Sequence, residues 1–178
     1  PIMDAVVIHL FRECQVRITS IALLHETLHR SHDLSRIKMG DYIRTLTGHL
    51  FRSYGVDPNL ISLELNVDDV EFDIDTGLTC GLIIDELVSN CLKHAFIDDS
   101  GGTVHIDLLD HVDGTFTLCV SDNGIGIPKD GVLNNPDSLG LELVALLAEK
   151  LDGSTELRSG AGTEWQIRFQ QLQYSERV

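Results

Sequence analysis

Basic residues are scarce in this chain. It carries 13 lysines and arginines against 28 acids, a formal net charge of −15 over 178 residues. Nucleic-acid and anionic-membrane surfaces need clustered cations, so neither is an expected partner, although a local basic spot for phosphate remains open. Cysteine is sparse too: Cys14, Cys80, Cys91 and Cys119 are the four. None are paired at metal-ligand spacing, and three sit inside apolar runs. That pattern points to reduced, buried thiols of a cytoplasmic protein, neither a disulfide framework nor a zinc site. No apolar run approaches a bilayer span, and no signal peptide is visible. Two phosphate-binding patterns are missing as well. There is no GxxxxGKS/T loop, and "GIG" at Gly124–Gly126 lacks the third glycine and following helix of a dinucleotide fingerprint.

What is present reads as one globular domain with an appendage. Hydrophobic residues make up 43% and charged residues 23%, ordinary for a packed core. From Asp4 to about His32 there is no Gly or Pro, and Val7, Phe11, Cys14, Ile18, Ile21, His25 and Leu28 step by four and three. That is a helical seam, and a seam requires a partner. Ser31 to Gly40 is the expected exit, with Asp33 or Ser35 as a cap, and Asp41 to Tyr54 reads as a second helix. The chain opens at Pro1 without an initiator Met, and the expectation is a fragment of something longer.

Strands are expected at Leu60–Val67, Val70–Asp73, Thr103–Leu109, Thr115–Val120, Ser154–Arg158 and Thr163–Phe169. Asp113-Gly114 and "SGAG" mark hairpin turns. Helices are expected at Asp75–Ala95 and Leu139–Leu151. Because the strand connections are mostly hairpins, the fold class is α+β, a two-layer sandwich of a mixed, mostly antiparallel sheet covered by helices.

Three stretches carry chemistry. In "SDNGIGIP", Ser121 to Pro128, a carboxylate and two glycines follow an apolar strand. One glycine is enough for a turn; two suggest a close approach to the backbone. In "GLIIDELVSNCLKHAF", Glu86, Asn90, Lys93 and His94 share one helical face, opposite Ile84, Val88, Cys91 and Ala95. The first set offers a carboxylate, an amide, an ammonium and an imidazole, a mix that suits a metal-nucleotide. A solvated helix face is the plain alternative for any one of them. In "SLGLELVALLAEKL", Ser138 and Gly140 open a helix whose N-terminus favours an anion, or is simply capped by Asp137 or Ser138. The polar "KDGVLNNPD" before it is a flap or a loop.

In this order the three stretches resemble the ATP-binding domain of sensor histidine kinases, within the wider group that includes gyrase B subunits and MutL. "DELVSNCLKHAF" is similar to the N box, "DNGIGIP" to the first glycine box, "SLGLELV" to the second and "GTEW" to the lead-in of the last strand. The resemblance runs from about Lys38 to Phe169. The upstream "FRECQVRITSIALLHETLHRSHDLSRIKMGDYI" resembles one histidine-kinase subfamily. Asp85 stands where that subfamily often carries Asn.

The resemblance implies a Bergerat-type ATP-binding fold over 38–174, preceded at 1–37 by the second part of a dimerisation hairpin and followed by a tail at 175–178. It implies that Asn90 holds Mg²⁺ and that Glu86 is the catalytic acid or base. Lys93 and His94 would contact phosphates. Asp122 would accept a hydrogen bond from the adenine amino group in a pocket shaped by Gly124 and Gly126. Gly140 and Leu141 would present backbone to phosphates, and Thr163 would lie near the adenine. The implied reaction moves the γ-phosphoryl group of ATP to a histidine, then to an aspartate of a response-regulator receiver domain, within a homodimer formed through the N-terminal helix.

No histidine of this chain has the context of the acceptor, which is expected upstream. His25 falls on the apolar seam and reads as a seam residue; His25, His29 and His32 share a face that offers a less favoured metal site. Two alternatives to the kinase stand beside it: an anti-sigma-type serine kinase of the same fold, and a degenerate nucleotide-binding or dimerisation module.

Overall fold

The computed structural model describes residues 18, 19, 21–23, 26, 35–96, 101–127 and 138–171. Residues 18, 19, 21–23 and 26 are helical. Ile18 and Ile21, two residues of the expected seam, are exposed, while Leu23 packs toward the core. Val7, Phe11, Cys14, His25, Leu28, His29 and His32 lie outside the described residues, as does Asp33.

A short strand that the sequence did not announce comes next, β1 (Arg36–Lys38). Helix α1 (Met39–Ser53) follows without a break, two residues ahead of the expected start. Its cap is Lys38, with no side-chain hydrogen bond, and the Met39 amide instead donates to the Val70 carbonyl at 3.0 Å. Ser35 is therefore not the cap; it sits in a turn before β1. Met39, Tyr42, Ile43, Leu46 and Leu50 recur at helical spacing and are all buried.

The remaining elements are β2 (Ile61–Val67), β3 (Glu71–Asp73), α2 (Ile74–Asn90), a π turn (Cys91–Ala95), β4 (Gly102–Asp110), β5 (Thr115–Asp122), α3 (Ser138–Lys150), β6 (Ser154–Gly160) and β7 (Gly162–Gln170). Five strands form one sheet in the order β2-β4-β5-β7-β6, and β1 pairs with β3 in a separate ribbon. β2 and β4 are parallel; every other pair is antiparallel. The parallel pair needs a crossover, and α2 supplies it. The architecture is the expected α+β sandwich with a mixed sheet.

Period-two alternation sends Val104, Ile106 and Leu108 of β4, Leu118 and Val120 of β5, and Ile167 and Phe169 of β7 into one buried layer. Helix α2 packs on both α1 and α3. Phe72 of β3 meets Phe116 edge-on, with ring centroids 4.8 Å apart, and Phe169 at 5.8 Å, which fastens the small ribbon to the large sheet. Tyr42 of α1 lies so close to Gly81 of α2 that a Cβ there would overlap its hydroxyl. Burial, then the charge of Asp85, pushes the Tyr42 hydroxyl above its ordinary pKa, and Asp85 is itself buried at 3% exposure. Among the described residues no helix is long and apolar enough to cross a membrane.

Candidate functional site

Asp122 is the last residue of β5 and shares the inward parity of Leu118 and Val120, so a carboxylate enters the buried layer at 9% exposure. Its Oδ1 accepts from the Gly124 amide at 2.9 Å, a local turn that Asp side chains favour. Its Oδ2 accepts from the Cys91 thiol at 3.4 Å. Burial, then the charge of Asp122, pushes that thiol well above its ordinary pKa.

The two glycines of "GIG" have different causes. Gly124 is a matter of space: a Cβ there would overlap the Ala95 carbonyl oxygen and lie 2.7 Å from the Ala95 Cβ. The Ile125 amide then donates to Ala95 O at 3.0 Å, tying the loop to the end of the π turn. Gly126 is a matter of backbone as well as space, with φ at +71° and the Gly160 carbonyl oxygen 2.7 Å from where a Cβ would stand. On the other side, Gly162 (φ +110°) passes so close that a Cβ would overlap the Asp122 carbonyl. Thr163 is the direct cross-strand partner of Asp122.

Two polar side chains to which the motifs give no role fix the path of the loop. Asn123 Oδ1 accepts the Thr103 amide at 2.7 Å, and Ser159 Oγ accepts the Ile127 amide at 2.9 Å. The placement of Asn between Asp and Gly was the available signal for the first; nothing in "SGAG" pointed to the second.

Helix α2 starts where Asp73 accepts the Thr76 amide at 2.9 Å and its hydroxyl at 2.7 Å. It carries Glu86 and Asn90, four residues apart and half-buried. The expected α-helix to Ala95 stops at Asn90. A π turn takes over, adding one residue to the turn and rotating the later side chains about the axis. A straight helical wheel takes no account of this turn, yet the two sides fall as expected: Lys93 is half-buried and His94 exposed, while Cys91 and Ala95 stay buried.

Helix α3 brings Gly140 against Glu86. A Cβ at Gly140 would overlap Glu86 Oε1 and lie 2.7 Å from its Cδ. Leu141 is half-buried against the core. The "KDGVLNNPD" stretch lies outside the described residues. An open polar concavity of about 390 Å³ is lined by Asp122, Gly162 and Thr163 together with Ser121, Arg158 and Ser159. The structure thus gathers Asp122, Gly124, Gly126 and Thr163 at one sheet end, with Glu86 beside Gly140 on the adjoining helices.

The model of histidine kinase-, DNA gyrase B- and HSP90-like ATPases matches residues 77–173, more than half of the chain. The chain belongs to that family. Residues 77–173 are accordingly an ATP-binding domain of the histidine kinase/gyrase B/HSP90 type. A histidine kinase model matches residues 2–54, through α1, and puts the chain on the histidine kinase branch of the family.

The chain is similar to sensor histidine kinase PdtaS of Mycobacterium tuberculosis, 31% identical over 85% of this chain and 30% of that protein. It is also similar to blue-light-activated histidine kinase 2 of Erythrobacter litoralis, 31% identical over 58% of this chain and 30% of that protein. The chain thus spans about a third of the length of these curated relatives. In three dimensions it resembles the histidine kinase domain of the Erythrobacter litoralis EL346 blue-light activated kinase. The TM-score is 0.75 at 23% identity, covering 87% of this chain and 73% of that one, a likeness of fold.

Proposed function

We propose that this chain is the ATP-binding, phosphoryl-donating part of a two-component sensor histidine kinase. The observation that carries the reading is Asp122, a buried carboxylate at a sheet end beside two space-limited glycines. A carboxylate held there accepts from the amino group of adenine. Gly124 and Gly126 shape the pocket around it, and Thr163 flanks the base.

Glu86 is the catalytic acid or base. Asn90 holds Mg²⁺ through its amide oxygen, and the half-buried Glu86–Asn90 pair suits a hard cation that prefers oxygen. When bound, that ion neutralises phosphate charge. Lys93 and His94 meet phosphate oxygens, and Gly140 and Leu141 present backbone near the N-terminus of α3. Catalysis is chiefly positioning and charge neutralisation. The γ-phosphoryl group leaves ADP and is taken up by an imidazole nitrogen upstream of this chain, and a receiver-domain aspartate of a response regulator takes it next. Residues 1–37 serve dimerisation, 38–174 bind nucleotide and 175–178 are a tail. The working location is cytoplasmic.

The test is phosphate transfer from γ-labelled ATP in the full-length protein. Label that is acid-labile, alkali-stable and abolished by Glu86→Gln supports the reading. Acid-stable label points to serine transfer, and nucleotide binding without transfer points to a degenerate module.

A further inference from the structure

Asp122 needs help to do what the proposed function asks of it. A carboxylate reads an amino group well only when its plane is fixed and its charge retained. In a buried setting both are costly without donors. The structure supplies two donors on two different oxygens: the Gly124 amide on Oδ1 at 2.9 Å and the Cys91 thiol on Oδ2 at 3.4 Å. The first comes from the loop, the second from the π turn after α2. Rotating the carboxyl group would break one or both bonds. Each oxygen retains a further lone pair for an incoming N–H.

Packing alone does not demand a thiol at position 91. The site is apolar on its core side, with Val88 and Ala95 buried on the same helical face. What a thiol adds is a hydrogen-bond donor.

We infer that Cys91 is a positioning residue for nucleobase specificity: its thiol holds the Asp122 carboxylate in the orientation that selects a purine 6-amino group. A base with a carbonyl at that position presents an acceptor to an acceptor and is rejected. Without the thiol, the carboxylate gains freedom to turn, and both the affinity for adenine and the discrimination fall. The inference rests on the adenine reading of Asp122.

The experiment is calorimetric titration of ADP, and of purine-riboside diphosphate, which lacks the 6-amino group, into the 178-residue chain. The proteins compared are wild type, Cys91→Ala and Cys91→Ser, each with its thermal midpoint measured. Alanine and serine have nearly equal volume, so their difference isolates the donor. Wild type should prefer ADP by about tenfold or more. Cys91→Ala should cut that preference at least about threefold while leaving the analogue's affinity within about twofold, and Cys91→Ser should recover part of it. Cys91→Val removes the donor without opening a cavity, and gives the same comparison if the alanine variant is unstable. A wild type that does not distinguish the two ligands overturns the adenine reading and this inference together. A wild type that distinguishes them, with Cys91→Ala and Cys91→Val keeping the full preference, overturns this inference alone, because the thiol then only fills space.

Discussion

The carboxylate of Glu86 rests against Gly140, where α3 crosses α2, with no room for even a methyl group between them. Residues from two separate motif stretches thus meet at this helix crossing. A methyl group at Gly140 must displace Glu86 Oε1. Gly140→Ala should therefore lower phosphoryl transfer by about 10²-fold or more, in line with the loss of a positioned acid or base, while the domain stays folded. Steady-state transfer measured beside a thermal midpoint checks this. Glu86→Gln should cause a similar loss of transfer with ADP affinity kept within a few-fold.

The contact between α1 and α2 at Tyr42 and Gly81 is a second place where a methyl group has nowhere to go. The clash would be with the ring and hydroxyl of a fully buried tyrosine. Gly81→Ala should destabilise the domain by about 1–3 kcal/mol. Urea denaturation at neutral pH, followed by circular dichroism, reads it.

Phe72 links the small ribbon to the sheet through Phe116 and Phe169. It is fully buried, so Phe72→Ala should cost about 3–5 kcal/mol. The expected signature is a lowered denaturant midpoint with an unchanged slope, because the loss is of packing rather than of a whole element.

Asp73 gives a pH prediction. Burial raises its carboxyl, but hydrogen bonds from the Thr76 amide and hydroxyl, Gln171 and the Asp75 amide outweigh that and hold it below the ordinary value. A folded-state value below the unfolded one gives stability that is present above the unfolded pKa. That stability is lost as pH falls through the lowered folded value. Asp73→Ala should cost about 0.5–2 kcal/mol at neutral pH, as loss of a helix cap does. Stability measured from pH 7 downward should show the gap between wild type and variant closing in the acid range below the ordinary carboxylate pKa.

Much of the fold was legible because it depends on local periodicity. Alternation in β4 and β5, the Asp113-Gly114 turn and the glycine at the end of α3 each set an element boundary within a few residues. The parallel pairing of β2 with β4 was not legible, since register between distant strands depends on contacts that α2 brings about. β1 was missed because three residues paired with three others carry too little pattern. The π turn escaped because a straight wheel assumes constant rotation past Asn90, and one inserted residue breaks that assumption.

The site was legible as three separate boxes. Their mutual contacts were not: Glu86 on Gly140, Cys91 on Asp122 and Gly162 over the Asp122 carbonyl each join residues at least 31 positions apart. Of the expected seam, Ile18 and Ile21 are among the described residues, and both are exposed.

The most direct test of the central claim is calorimetric titration of a non-hydrolysable ATP analogue with Mg²⁺ into wild type and Asp122→Ala. Wild type should show saturable one-to-one binding and the variant a loss of at least about 30-fold in affinity, with both proteins folded. A folded wild type that binds no nucleotide, or an Asp122→Ala variant that binds as tightly as wild type, would contradict it.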